Sequence, residues 1–287
     1  MTAVFRHEFK NLSHSLASYV CGAFLLVFIG IGAMIYNIQE AVSNFEYVLG
    51  FSSLAFAVII PLLTMRVLSE ERKQKTDLLL YSLPITTTQV IMGKYLALLA
   101  IYSIPVSIIL IYPLVFAQFG NVYLPTSYGS IFAFYMVGAA LIALGVFISS
   151  LTENQGLAAG IGVALVLFNY FSVGLAEYVS ATAVGSAISI VVICLLLGLL
   201  IKHLTGNETL SYIIGLGLSA VTVVLYFISP DSFEGLLPAV MTKLSLFARL
   251  NIFINGIFDI KAIVYYLSFV VFFLFLSVQS MEKRRYN

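Results

Sequence analysis

Ser69-Glu-Glu-Arg-Lys-Gln-Lys-Thr-Asp-Leu-Leu-Leu-Tyr-Ser-Leu-Pro84 is a charged island between two hydrophobic stretches, 48–65 and 95–117. In a chain of 287 residues that is 61% hydrophobic and only 9% charged, the island gathers Glu70, Glu71, Arg72, Lys73, Lys75 and Asp77, with Arg66 just before it. Soluble domains carry about 25% charged residues. The sequence therefore reads as an integral membrane protein whose island lies at a bilayer surface, within reach of a water-soluble partner.

Working outward from the island, a membrane-crossing helix needs about 20 apolar residues. Eight stretches meet that length: 16–37, 48–65, 95–117, 128–150, 156–174, 182–201, 210–228 and 263–281. None contains Asp, Glu, Lys or Arg. The thinnest divider is Leu175-Ala-Glu-Tyr-Val-Ser-Ala181, where Glu177 favours two spans over one bent helix. The expected fold is all-α, one transmembrane domain over residues 1–287 with about eight spans.

An even number of spans puts both termini on one side. Lys and Arg are retained in the cytosol during insertion. With cytosolic termini, only Lys243, Arg249 and Lys261 of the 14 basic residues fall outside, which fixes the orientation. Val4, Phe5, Phe9, Leu12 and Leu16 recur at helical spacing, with Arg6, Lys10, Asn11 and His14 opposite them. That pattern predicts an amphipathic helix over 1–15 lying on the cytosolic surface. The apolar run after it reaches spanning length and no small-residue cleavage site follows, unlike a signal peptide. On the outer side, 229–262 holds Pro230, Gly235, Pro238 and Gly256, and its amphipathic run 241–255 is too polar to span. It is expected to lie at the outer interface, or to dip in and return where protein covers its backbone.

Within the island, Ser69 is placed to cap a helix, and Glu70 and Glu71 in its first turn complement the helix dipole. Leu78, Leu79, Leu80 and Leu83 supply apolar contacts and Pro84 stops the helix. Thr86-Thr-Thr88 forms a second cap before Gln89-Val-Ile-Met-Gly-Lys94. Pro105 and Pro113 are expected to bend the third span. Glu153 and Asn154 either line the cytosolic mouth of a pathway or cap the fifth span. The small residues Gly156, Gly160 and Gly162 permit close helix packing, within the chain or between chains. Cys21 and Cys194 read as small buried hydrophobes. His7, His14 and His203 are too dispersed for a metal site. Tyr112, Tyr135, Asn169, Tyr170 and Tyr212 are polar groups that could face a cargo. Charge-free spans disfavour an ion-coupled secondary transporter. No Gly-x-x-x-x-Gly-Lys-[Ser/Thr] phosphate loop occurs, so the chain is expected not to be an enzyme and to hold no cofactor.

Glu71-Arg-(x)3-Thr-Asp-Leu-Leu-Leu-(x)2-Leu-Pro84, continuing to Gly93-Lys-Tyr-Leu-Ala97, resembles the coupling-helix segment of type-2 ABC exporter permeases. Ser150-Leu-Thr-Glu-Asn-Gln155, the run Leu246–Gly256, the run Asp259–Ser268 and the basic end Glu282-Lys-Arg-Arg285 are similar to the same family, in the branch of gliding-motility-associated permeases. The resemblance implies the membrane-spanning half of an ATP-driven exporter in a bacterial cytoplasmic membrane. Two copies of a separate cytosolic ABC ATPase would bind ATP and Mg. A second permease chain, identical or related, would complete the pathway, and no nucleic acid would be involved. Carried over residue by residue, the segment 69–93 supplies the ATPase contact through Glu70, Glu71, Arg72, Lys75, Thr76, Asp77, Leu79, Leu80, Leu83 and Pro84. Glu153 and Asn154 become a cytosolic gate, and Phe247, Phe253, Gly256 and Asp259 mark the outer segment. The sequence departs from the family where Lys75 replaces a frequent Gly and Asp77 a commoner Glu, and it adds the pair 182–201 and 210–228 to six family spans. A membrane scaffold that transmits ATPase motion without export is the alternative reading.

Overall fold

The computed structural model describes residues 2–76, 86–179, 182–205 and 208–286. Among these, every regular element is helical. The surface helix α1 (Thr2–Ser13) precedes α2 (Leu16–Gly32), which continues through a π-helical stretch, Ala33–Gln39. The second span combines α3 (Glu46–Ser52), a 3-10 turn, α4 (Phe56–Thr64) and α5 (Ser69–Lys73). Then follow α6 (Thr87–Ile109), α7 (Tyr112–Phe116), α8 (Leu124–Leu151) and α9 (Gln155–Tyr178). After them come α10 (Ala183–Thr205), α11 (Glu208–Ile228), α12 (Leu236–Leu244), α13 (Leu246–Ile254) and α14 (Ile260–Tyr286). The protein is an all-α integral membrane protein: among the described residues seven helices are long and apolar enough to cross a bilayer, or eight if one bent pair counts as a span.

The helices divide into two compact units, one of Met1–Phe168 with Arg249–Asn287 and one of Asn169–Ala248. In the first, α8 is the core element: 83% of its apolar window is buried, against 39% or less for the first, third and last spans. Its small residues Gly138, Ala139, Ala140, Ala143 and Gly145 let neighbours approach its backbone. Two tyrosines of α6 use that approach, Tyr95 donating to the Ala139 carbonyl at 3.3 Å and Tyr102 to that of Phe134 at 3.2 Å. Each ring fills apolar space while its hydroxyl finds an acceptor.

In the second unit, α10 and α11 meet backbone to backbone. A Cβ at Gly198 would lie 2.8 Å from the Gly215 Cα. Ser211 seals the contact by donating to the Gly198 carbonyl at 2.6 Å. The segment after α11 is bent by 72° between Pro230–Leu244 and Leu246–Ile254. Asn169 covers the bend: its side-chain oxygen accepts from the Leu246 N–H at 3.0 Å and its carbonyl from the Ser245 hydroxyl at 3.0 Å. Protein cover of this kind keeps the backbone groups of a bend paired, and the Asn169 side chain acts here as a staple.

Several sequence expectations change. The helix of the third span starts at Thr87 and so takes in Lys94, 2% exposed; that of the second starts at Glu46, also 2% exposed, which accepts from Ser127 Oγ at 2.9 Å. Both spanning helices therefore carry an ionisable residue near one end. Partners inside the protein replace water around Lys94, whereas Glu46 keeps Ser127 on one carboxyl oxygen and leaves the other buried without a hydrogen bond among the described residues. Ser69 does not cap α5. Leu68 holds that position, and the Ser69 hydroxyl donates back to the Met65 carbonyl. Thr86 does cap α6, in a reciprocal pair with Gln89. Pro105 lies inside α6 without ending it, and the break falls at 110–111, just ahead of Pro113. The described apolar part of α10, Ala183–Leu196, is shorter than a span. Gly162 packs within the chain, its Cβ position 3.1 Å from Pro61. Cys21 and Cys194 are both free and buried.

Candidate functional site

Where α4 ends, regular helix gives way to turns over 65–68, where not every backbone group keeps a helical partner, before the chain resumes as α5. Such a break strands backbone groups that must find other partners. A single hydroxyl from α8 supplies several. Ser149, fully buried, accepts from the N–H groups of Leu68 and Ser69, both at 3.1 Å, and donates to the Met65 carbonyl at 3.2 Å.

The Val67 carbonyl in the same break accepts from Lys94 Nζ at 3.2 Å. That ammonium also donates to Glu8 of α1 at 2.8 Å and to Glu71 of α5 at 2.6 Å. An ammonium has three donors, and all three are used on three different elements. This full set is what makes burial of the charge tolerable, since a buried cation without partners costs several kcal/mol. Glu8 and Glu71 keep 16% and 24% exposure, so water reaches the rim of the cluster. The residue before the lysine completes the junction. Gly93 has no side chain, and a Cβ there would lie 2.9 Å from Val4 Cγ1, so α1 can rest directly on α6. A cavity of about 540 Å³ opens between α1 and the break, with Glu8, Asn11, Arg66, Glu70, Glu71 and Lys94 among its walls.

The remaining residues singled out in the sequence divide among three places. Near the break, Glu70 accepts from Gln74 at 3.3 Å, Arg72 is 8% exposed, and the Thr76 hydroxyl donates to the Glu71 carbonyl at 3.3 Å. Lys75 has φ 57°, the left-handed region that favours glycine; this is the position where the resembling family often carries Gly. Asp77, Leu79, Leu80, Leu83 and Pro84 lie outside the described residues. At the same end of α8, Glu153 pairs with Arg284 at 2.7 Å, and Ser280 of α14 donates to the Ser150 carbonyl at 3.0 Å. Asn154 caps α9, its side-chain oxygen accepting from Gly156 N–H at 2.9 Å and Leu157 N–H at 3.3 Å. The C-terminal helix α14 is thus fastened at the end of α8 that also holds the break.

The residues expected on the outer side serve local packing. In the second unit Phe247 meets Tyr170 edge-on at 5.1 Å. In the first, the Phe253 carbonyl accepts from Ser130, near the other end of α8, at 2.9 Å. Gly256 turns the chain at φ 82°, and Asp259 caps α14 by accepting from the Lys261 N–H at 2.9 Å. Sequence reasoning missed Lys94, Glu8 and Ser149. Lys94 stands in the sequence only as a motif residue and an inner positive charge, with no partner assigned, although a lone cation following Gly93 inside a helical pattern is a usable signal. Ser149 carried none. Chemically the arrangement fastens a polar segment to three helices.

Comparison with known proteins adds two findings. A family model described as ABC-2 family transporter protein matches residues 2–278. No curated protein matches the chain.

Proposed function

Because the chain belongs to the ABC-2 transporter family, as a multi-pass permease, we propose that it is the membrane half of an ATP-driven exporter moved by cytosolic ABC ATPase subunits. ATP and Mg would be held by those subunits, two copies to an assembly, with a second permease chain completing the pathway. The proposed location is the bacterial cytoplasmic membrane, with α1, α5 and the basic end of α14 facing the cytosol, as the distribution of Lys and Arg favours. The gliding-motility-associated branch is the subgroup whose motifs the sequence resembles.

One observation carries this reading: a short polar helix hangs from the second span across a helix break, and a buried lysine fastens it to α1 and α6. A push on the segment beginning at Ser69 is then delivered to three elements together instead of being absorbed by a loose loop. Glu71 and Arg72 belong to the inward, holding side of the segment, while Lys73 and Lys75 are exposed and are the described positions most open to an ATPase. The leucines of 79–83 remain part of the proposed contact.

The test is co-expression with candidate ABC ATPase subunits and reconstitution into nanodiscs. Cysteines placed at Lys73 and Lys75 should cross-link to the ATPase, and its turnover should rise when the permease is present. An ATPase that associates elsewhere, or shows no change in turnover, would overturn the assignment. ATP-dependent movement of cargo in sealed vesicles separates export from purely mechanical transmission.

A further inference from the structure

The 540 Å³ cavity beside Lys94 is partly open to its surroundings. A second, largely apolar groove of about 280 Å³ runs between α2 and α4, lined by Leu16, Val20, Leu62 and Met65. Ser15 and Arg66 line both spaces, so the two meet at that corner. The corner lies where the surface helix α1 turns into the first span, the depth at which lipid headgroups give way to acyl chains. Arg66 is exposed and has no ion pair among the described residues, and the Ser15 hydroxyl makes no cap to α2. Polar donors on one side and a hydrocarbon slot on the other suit an amphiphile, with a phosphate diester against the guanidinium and a chain along Val20 and Leu62.

The charges around the corner narrow the headgroup. Glu8, Glu70 and Glu71 line the polar cavity together with only two cations, Arg66 and Lys94, and His7 adds an imidazole. A carboxylate in surplus opposes a simple anionic headgroup and favours one that carries its own ammonium beside the phosphate. We propose that the junction at Ser15 and Arg66 is a binding site for an aminophospholipid of the phosphatidylethanolamine type, drawn from the leaflet on the side of α1. Its headgroup contacts the same carboxylates that fasten α5, so the lipid braces the polar segment from the bilayer side. This inference needs only the membrane setting and does not depend on which ATPase binds.

The test uses the purified full chain in a non-ionic detergent, with native mass spectrometry and thermal unfolding as readouts. Wild type should retain phosphatidylethanolamine in preference to phosphatidylglycerol, and added phosphatidylethanolamine should raise its unfolding temperature. Arg66→Ala should weaken retention about tenfold or more, the effect of losing one charge-assisted hydrogen bond, while Arg66→Lys keeps part of it. Val20→Trp, at a site 51% exposed, fills the slot and should weaken binding without touching a charge. Phosphoethanolamine and inorganic phosphate, which lack a chain, should give no shift. Equal binding by Arg66→Ala and wild type overturns the site. Equal retention of the two lipids overturns the amine selectivity, and a shift with phosphoethanolamine alone overturns the lipid in favour of a free headgroup.

Discussion

In the first unit the polar contacts reach across the chain: Glu8 to Lys94, Lys94 to Glu71, Ser149 to Leu68, Glu153 to Arg284. In the second, the described ion pair Lys202–Glu208 joins the ends of two consecutive helices at the protein surface, and the close contact is glycine on glycine. A hairpin held by its own backbone approach stabilises itself locally. Charges and hydroxyls that tie α1, α5, α6 and α8 together instead make one element's displacement everyone's. If the proposed function holds, this difference predicts that transmission runs through the first unit and that the hairpin α10–α11 contributes local support.

Lys94→Met attacks that distinction hardest. It leaves Glu8 and Glu71 facing each other without their cation, and removing one partner of a buried pair costs about 3–5 kcal/mol; the partial exposure of both acids puts the value near the lower figure. Thermal unfolding in detergent should show the loss, and stimulation of a bound ATPase should fall with it. Glu8→Gln should cost clearly less, because Glu71 and the Val67 carbonyl still hold the ammonium. If the two variants were equally damaging, the three-way fastening would be wrong.

Ser149→Ala is next. The N–H groups of Leu68 and Ser69 lose their acceptor in a buried break, worth about 1–3 kcal/mol. The effect should appear as faster hydrogen exchange over 66–72, with the rest of α8 unchanged. Gly198→Ala tests the other side of the comparison. Its Cβ would press on the Gly215 backbone, so α10 and α11 must part at about 1–2 kcal/mol, within the range for overpacking. Unfolding should move to lower temperature while ATPase stimulation stays near wild type. Lost stimulation would place the hairpin in the transmission path.

Much of this fold is legible in the sequence because the bilayer imposes length and apolarity on each span. The cap at Thr86 and the helix through Val4, Phe5 and Phe9 are local patterns, and both the cap and the helix form. What could not be read is long-range. Lys94 is 86 residues from Glu8 and Ser149 is 81 from Leu68, so no spacing rule connects them. Charge alone also misled: Glu71 and Arg72 belong to a charged island, yet one is tied to a buried lysine and the other is itself buried. The island was a sound guide to place and a poor guide to which side chains face outward.

The smallest effect is expected at Lys202 and Glu208. The hydrogen bond from Lys202, and then its positive charge, hold the Glu208 carboxyl below its ordinary value, and that hydrogen bond, and then the Glu208 negative charge, hold the Lys202 ammonium above its own. Any stabilisation is therefore fully present between the ordinary carboxylate and lysine ranges. It fades as pH falls through the lowered Glu208 value, or rises through the raised Lys202 value. Both side chains are solvent-exposed, at 42% and 65%, so salt screens the pair and side-chain entropy offsets it. Lys202→Gln should unfold with wild type at neutral pH and physiological salt. The two should separate only at low ionic strength, and acidification should close that gap again. A difference that persisted in salt would mean that charge closes the α10–α11 ends, and the contrast between a glycine-packed hairpin and a charge-fastened core would have to be redrawn.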